Sequence, residues 1–417
     1  MTKSTAAPID LSDPEFWSQP LNQRDEGFDV LRRDAPISWQ VPPTAFAPQN
    51  SKTPNGYWAV TRHADIQQVH RDAKRFLAGT GTFLFDNMSL EDEYTAAGMM
   101  GVDAPRHTKL RALVQLAFTP KTLARIQGRI EQRCRELVGR FSEQGACDYK
   151  EIVNPLPHLT VCDLMGFPEA DRDEIARLVH LVTGASGPDG YDISLQASRK
   201  LADYAIQVSR ERKLHPKDDL LTLLVQAEVD GEHFSEHDLG AMVHLIVVAG
   251  ADTTAGTLHE AILALDHFPA QRAKLIEDFD GHINTAVEEV IRWATPGTYI
   301  RRRAKEDTII GGQEIAAGDN LVLWFRSGNR DGAVFENPYE FDVSRSPNPH
   351  LGFGGGGRHF CLGHELARME LKTMLRTLMT YIPDIHITST PVWLPTPQYV
   401  LIDGPMPCEF TPIAVPH

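Results

Sequence analysis

From Ser235 to His267 the chain contains no proline, and this uninterrupted stretch constrains the fold more than any other feature. Ser235 followed by Asp238 is a helix-start pattern, so the spacing predicts one helix of roughly 30 residues, about 45 Å long, enough to cross a whole domain. Its middle, Leu245 to Ala251, is apolar on every side and is expected to be buried. This buried crossing helix then meets Gly250, Asp252, Thr253 and Thr254, where acid and alcohol groups enter an apolar setting.

A length of 417 residues suits two or three average domains or one large enzyme built around an enclosed site. Hydrophobic residues make up 42% and charged residues 23%, the composition of a globular protein with a sizeable core. The formal charge of −15 repels polyanions, which argues against nucleic acid or an anionic membrane surface as partner. Met1 to Asp10 lacks a signal pattern, and no run of about 18 apolar residues is read as a membrane span, so a cytoplasmic protein is expected. Five cysteines, Cys134, Cys147, Cys162, Cys361 and Cys408, are scattered without zinc-site spacings. Buried free thiols account for all of them except Cys361.

Around the long helix the pattern alternates between helical and strand-like stretches. Ile37 to Val41 and Tyr57 to Thr61 suggest a peripheral β-hairpin, and Pro105 to about Lys213 reads as helical. Gly79 to Asp103, with Phe83, Phe85, Met88, Met99 and Met100, has no sustained period and is expected to be a ligand-facing loop. A second glycine-rich break, Thr183 to Asp192, suits the other half of a lid or a helix connection. Gly311-Gly312 marks a hairpin turn, Asn320 to Phe325 an apolar strand, and Leu362 to about Tyr381 a last helix. Proline-separated strand pieces follow to the C-terminus.

The run from Pro349 to Gly363 carries the most chemistry. Four consecutive glycines, Gly354 to Gly357, delete side chains so that backbone can approach a large flat object. Cys361 then sits where a helix begins, near orphan N–H groups and the positive end of the dipole, which favour thiolate over thiol. A glycine run alone equally suits a phosphate cradle or a flexible loop, but no Gly-Lys-Ser/Thr follows and no strand immediately precedes it. A thiolate beside glycines, with His359 able to bond a propionate, suits an iron porphyrin better.

At these residues the sequence resembles a bacterial cytochrome P450. The family signature of phenylalanine, glycines, a basic residue and cysteine-x-glycine maps onto Phe353, Gly354, Gly357, Arg358 or His359, Cys361 and Gly363. Phe353 stands eight residues before Cys361 where the commonest pattern has seven, so one extra glycine is accommodated. Ala249-Gly250-Ala251-Asp252-Thr253-Thr254 matches the family's oxygen-activation motif, with Gly250 expected to allow a local widening of the helix. Proton delivery into an apolar cavity needs an acid and an alcohol where the helix passes the cofactor, so Thr253 is expected to hold activated oxygen and Asp252 to relay protons.

The resemblance carries further assignments. Glu289 and Arg292, three apart on one helical face, alone suit a solvated surface pair. In the family the same pair is buried behind the cysteine loop, and Arg345 is a candidate third member. His107 and Arg111, four apart, match a propionate motif, and Arg302 in the triple Arg301-Arg302-Arg303 aligns with another.

The implied fold is mainly α with small β-sheets, a prism-like helical core enclosing haem b. A single domain over 1–417 is expected, its β-rich regions near 37–61, 298–325 and 384–413. The implied reaction is insertion of one oxygen atom of O2 into a C–H bond, with electrons from NAD(P)H. No flavin or dinucleotide fingerprint appears, so these would pass through separate ferredoxin and ferredoxin reductase proteins, with Arg125, Arg133 and Arg358 as docking cations. Phe83, Phe85, Met88, Met99, Val247, Val248, Thr298, Ile300, Val400 and Leu401 are expected to line a largely apolar pocket.

Local similarity from Asp280 to Pro296 and from Asn348 to Gly363 favours actinobacterial enzymes that hydroxylate branched lipids and sterol side chains. Macrolide or other secondary-metabolite hydroxylation, a peroxide-using peroxygenase and a haem gas-binding protein stand as alternatives. Family members are usually monomers, and a monomer is expected here.

Overall fold

The computed structural model describes residues 7–43, 56–79, 82, 90–115, 118–184 and 189–414. Helices dominate. Two N-terminal helices, α1 (Pro14–Ser18) and α2 (Leu21–Asp34), precede α3 (His63–Arg71), α4 (Leu90–Ala97), α5 (Arg106–Gln115), α6 (Pro120–Phe141), α7 (Tyr149–Val153) and α8 (Pro155–Met165). Then come α9 (Arg172–Gly184), α10 (Gly190–Leu214), α11 (Leu220–Gln226), α12 (Glu236–His267), α13 (Pro269–Glu277), α14 (Phe279–Ala294), α15 (Phe325–Gly328) and α16 (His364–Tyr381).

The proline-free stretch is α12, 32 residues long. Its start is a capping box: the Ser235 hydroxyl accepts from the Asp238 N–H at 3.1 Å, and the Asp238 carboxylate accepts from the Ser235 N–H at 3.2 Å. α12 packs against α8, α9, α10, α14 and α16, so it crosses the helical body. On length and composition α12 does qualify as a membrane span, which corrects the sequence reading. Most of its apolar window is instead covered by neighbouring helices, as a core helix requires.

The main sheet has five strands in the order β1 (Ile37–Gln40), β2 (Tyr57–Val60), β10 (Asn320–Trp324), β7 (Tyr299–Ala304) and β3 (Phe76–Leu77). β1 and β2 pair antiparallel as expected, and β10 joins β2 parallel and β7 antiparallel. Gly311 and Gly312, both at positive φ, turn β8 (Thr308–Ile310) into β9 (Gln313–Ile315). A second sheet orders β11 (His386–Ile387), β14 (Pro407–Glu409) and β4 (Ala146–Asp148). Here β4 interrupts the stretch read as helical from Pro105 to Lys213, because three residues are too few to show a period. There Cys147 and Cys408 face each other as free thiols at 3.6 Å.

The segment from Gly79 to Asp103 is less irregular than expected. α4 has Glu91, Asp92 and Glu93 in its first turn, where carboxylates suit the helix dipole. Gly98 follows at φ +52, and a Cβ there would lie 2.6 Å from Met242 Cε on α12. Phe83, Phe85 and Met88 lie outside the described residues.

Candidate functional site

Cys361 lies three residues before α16, at the end of a loop that folds on itself. The Cys361 N–H donates to the Phe353 carbonyl at 3.0 Å, the Gly354 N–H to Leu351 at 2.8 Å, and the Leu351 N–H to Asn329 Oδ1 at 2.6 Å. Phe353 is surrounded by the rings of His350, Phe360 and His364 and by the Arg368 guanidinium, 4.7 Å from its centroid. The Gly363 N–H bonds the Cys361 sulfur, and the positive charges of Arg111 and Arg368 favour its anion. Burial is the larger influence and raises the thiol above its ordinary range, so orphan N–H groups alone do not make the thiolate. A bound cation at sulfur would do so.

The four glycines also lie against α3. A Cβ at Gly354 would meet the His70 ring at 3.1 Å, at Gly355 His70 Cβ at 3.0 Å, at Gly356 Arg71 Nε at 3.1 Å, and at Gly357 Arg71 Cα at 3.2 Å. Their missing side chains therefore let the loop lie on the last turn of α3. Three α3 side chains also reach loop carbonyls: His63 Nε2 is 2.8 Å from Pro349 O, His70 Nδ1 is 2.7 Å from Gly356 O, and Arg71 Nε donates to Gly355 O at 3.0 Å. Sequence reasoning missed these three residues.

A cationic corner adjoins the loop. His107 on α5 and His359 stack with centroids 4.2 Å apart. Arg302, on β7, is fully buried. Its Nη1 donates to the Arg301 carbonyl at 2.7 Å, and its Nη2 has no partner among the described residues. Burial lowers Arg302 to about 10, with Asp103 opposing. His107 falls to about 4 through burial and then Arg111, and burial followed by Arg302 drives His359 down as well. An orphaned buried guanidinium beside two neutral imidazoles is a corner built for an anion. The carboxylates of a haem fit it. Among the described residues no three His, Cys, Asp or Glu side chains converge on one point, so iron at Cys361 would need a ligand such as a porphyrin to complete its coordination.

On α12, Ala249 is exposed although Val247, Val248 and Ala251 are buried, so this point of the helix faces open space. Gly250 does not widen the helix, which stays α-helical throughout; a Cβ there would lie 2.9 Å from Val161 Cγ2 on α8, so the glycine serves close helix packing. The Thr253 hydroxyl donates to the Ala249 carbonyl at 2.6 Å. Asp252 accepts from the Thr183 hydroxyl on α9, a partner not foreseen from sequence. Burial raises the Asp252 carboxyl above its usual range, offset by Thr183 and by the positive potential of His180, His158 and Lys150.

Glu289 and Arg292 are not a surface pair: both are fully buried on α14 and joined at 2.7 and 2.8 Å. Arg345 Nε and Asn348 Nδ2 donate to the same carboxylate at 3.1 and 3.0 Å, and Arg292 donates to the carbonyls of Asn329 and Pro338. The network ties α14 to the chain that leads into the cysteine loop.

Among the pocket candidates, Met99, Val247 and Val248 share one buried cluster. The Thr298 hydroxyl donates to the Gln398 carbonyl at 3.2 Å, and the Val400 carbonyl lies 3.0 Å from a Cβ built at Gly256 on α12. Ile300 is on β7, paired with Leu323. Of the expected docking cations, Arg125 is paired with Asp218 at 2.7 Å and Arg133 with Glu136 at 3.3 Å, while Arg358 is exposed.

Residues 193–382 match the family model described as Cytochrome P450. The methyl-branched lipid omega-hydroxylase of Mycobacterium tuberculosis is 39% identical over 395 residues, covering 93% of this chain and 91% of the relative. The steroid C26-monooxygenase of Mycolicibacterium smegmatis is 33% identical over 389 residues, covering 91% and 90%. A solved structure of a Mycobacterium marinum cytochrome P450 in complex with pseudoionone superposes with a TM-score of 0.90 at 39% identity, covering 98% of this chain and 100% of that one.

Proposed function

This chain belongs to the cytochrome P450 family, and from that premise we propose that it is a monooxygenase that hydroxylates a methyl-branched or steroid-like lipid, with electrons arriving through ferredoxin and ferredoxin reductase. One observation carries the substrate class: relatives named for a branched lipid and for a steroid each match this chain over at least nine-tenths of its length. Haem, when bound, supplies the dioxygen activation that places one oxygen atom in a C–H bond.

The protein's own residues divide the remaining work. Cys361 would hold the iron, and Arg302, His107 and His359 would take the propionates, with Arg111 adding positive potential beside the sulfur. Val247 and Val248 on α12, with Met99, Thr298, Ile300 and Val400, keep water from the reacting carbon. The Thr253 hydroxyl orients oxygen, and Asp252 moves protons from the α9 side. The raised pKa of Asp252 suits that role, because a carboxyl poised nearer neutrality exchanges protons more readily than one fixed as the anion. In this reading the whole chain works as one catalytic unit and as a monomer.

A panel of branched-chain fatty acids, terpenoids, steroids and macrolides, tested for displacement of iron-bound water and then for product, checks the proposal. Branched lipids or steroids should bind tightest and yield a hydroxylated product. Preference for macrolides would overturn the substrate class.

A further inference from the structure

We propose that the last turn of α3 is a positioning device for the iron-ligating sulfur, in which His70 and Arg71 fix the glycine bulge and so keep Cys361 in its thiolate-ligating place. The proposal rests on the haem-thiolate reading above. It starts from the unusual length of the loop, with Phe353 eight residues before Cys361. An extra residue gives a loop more conformations, and something must remove them.

The loop's own hydrogen bonds act at Leu351, Gly354, Phe360 and Cys361. Among the described residues, no backbone N–H reaches the carbonyls of Gly355 and Gly356, the middle of the bulge. Those two carbonyls instead accept from Arg71 and His70. His63 takes the Pro349 carbonyl, so α3 holds the loop at its entrance as well as at the middle of the bulge.

Conformation points the same way. Gly354, Gly356 and Gly357 sit at φ +90, +90 and +77, a left-handed region that other residues enter at a cost. Glycine is thus needed twice, for the backbone angle and for the approach to α3. His70 itself is 2% exposed, and burial together with Arg302 keeps its imidazole neutral, so it donates through Nδ1 without placing a charge near the sulfur. His70 and Arg71 bond the loop's carbonyls, and in this proposal they act on the sulfur through the loop.

The test uses purified holoenzyme and follows the reduced carbon-monoxide spectrum, which separates thiolate-ligated from thiol-ligated haem, at matched haem content. His70→Leu removes the donor; His70→Asn keeps an N–H near the position of Nδ1; Arg71→Met removes the second donor from an exposed site, which leaves folding intact. Losing one of these hydrogen bonds should convert the thiolate form to the thiol form about tenfold faster in His70→Leu and several-fold faster in Arg71→Met, with His70→Asn close to the parent.

Parental rates in both His70→Leu and Arg71→Met would overturn the proposal. So would His70→Asn failing as fast as His70→Leu, since ring volume and not the donor would then matter. A parent that lacks the thiolate spectrum would overturn the haem-thiolate reading itself, and this inference with it.

Discussion

The Thr253 hydroxyl spends its proton on the Ala249 carbonyl one turn back, which leaves its lone pairs free beside the exposed Ala249. Thr253→Ala removes the alcohol without altering helix packing. Consumption of NAD(P)H should persist while product per reductant falls about tenfold or more, the excess appearing as peroxide. Unchanged coupling would favour the peroxygenase alternative. Asp252, Thr253, Cys361 and His359 could be singled out in the sequence because they stand in short local motifs that resemble those of a family. Thr183, His70 and Arg71 were not, because each gains its role from a residue distant in the chain: Thr183 from one 69 positions away, Arg71 from one 284 away. Arg302 lay between these cases. Only its burial separates it from the exposed Arg303, although Arg301 is buried as well.

Among the elements, α12 and α14 show what a helix does beyond carrying a motif. Gly250 lets α12 approach α8, so Gly250→Ala gains helix propensity worth about 1 kcal/mol but presses a methyl onto Val161, and overpacking costs about 1–3 kcal/mol. A net loss of thermal stability is expected by calorimetry; a net gain would mean the α8 contact yields freely. On α14, Glu289→Ala strands the buried Arg292 and frees Arg345, and breaking a buried pair from one side costs about 3–5 kcal/mol. Denaturant unfolding should reveal that loss together with weaker haem retention. The length, start and burial of α12 could be read from its periodicity and cap. β4 could not, since strand pairing with β14 is decided by a partner 261 residues away.

Over the whole molecule, stability should depend on pH through a carboxyl that the proposed chemistry does not use. Glu370 on α16 is fully buried near Thr160 on α8 and Cys134 on α6, and burial raises it to about 8. A raised folded pKa means that its contribution is intact below the unfolded value near 4.5 and is lost as pH rises towards 8. Glu370→Gln should therefore flatten the alkaline side of the stability profile and melt higher than the parent at pH 8. Equal melting at that pH would place the carboxylate in contact with solvent. The proposed chemistry depends on one bond, between the sulfur at position 361 and iron. Its most direct test is Cys361→Ser, compared with the parent by the reduced carbon-monoxide spectrum. The parent should show the thiolate-ligated band and the variant should lose it; the same band in both would mean that another atom holds the metal.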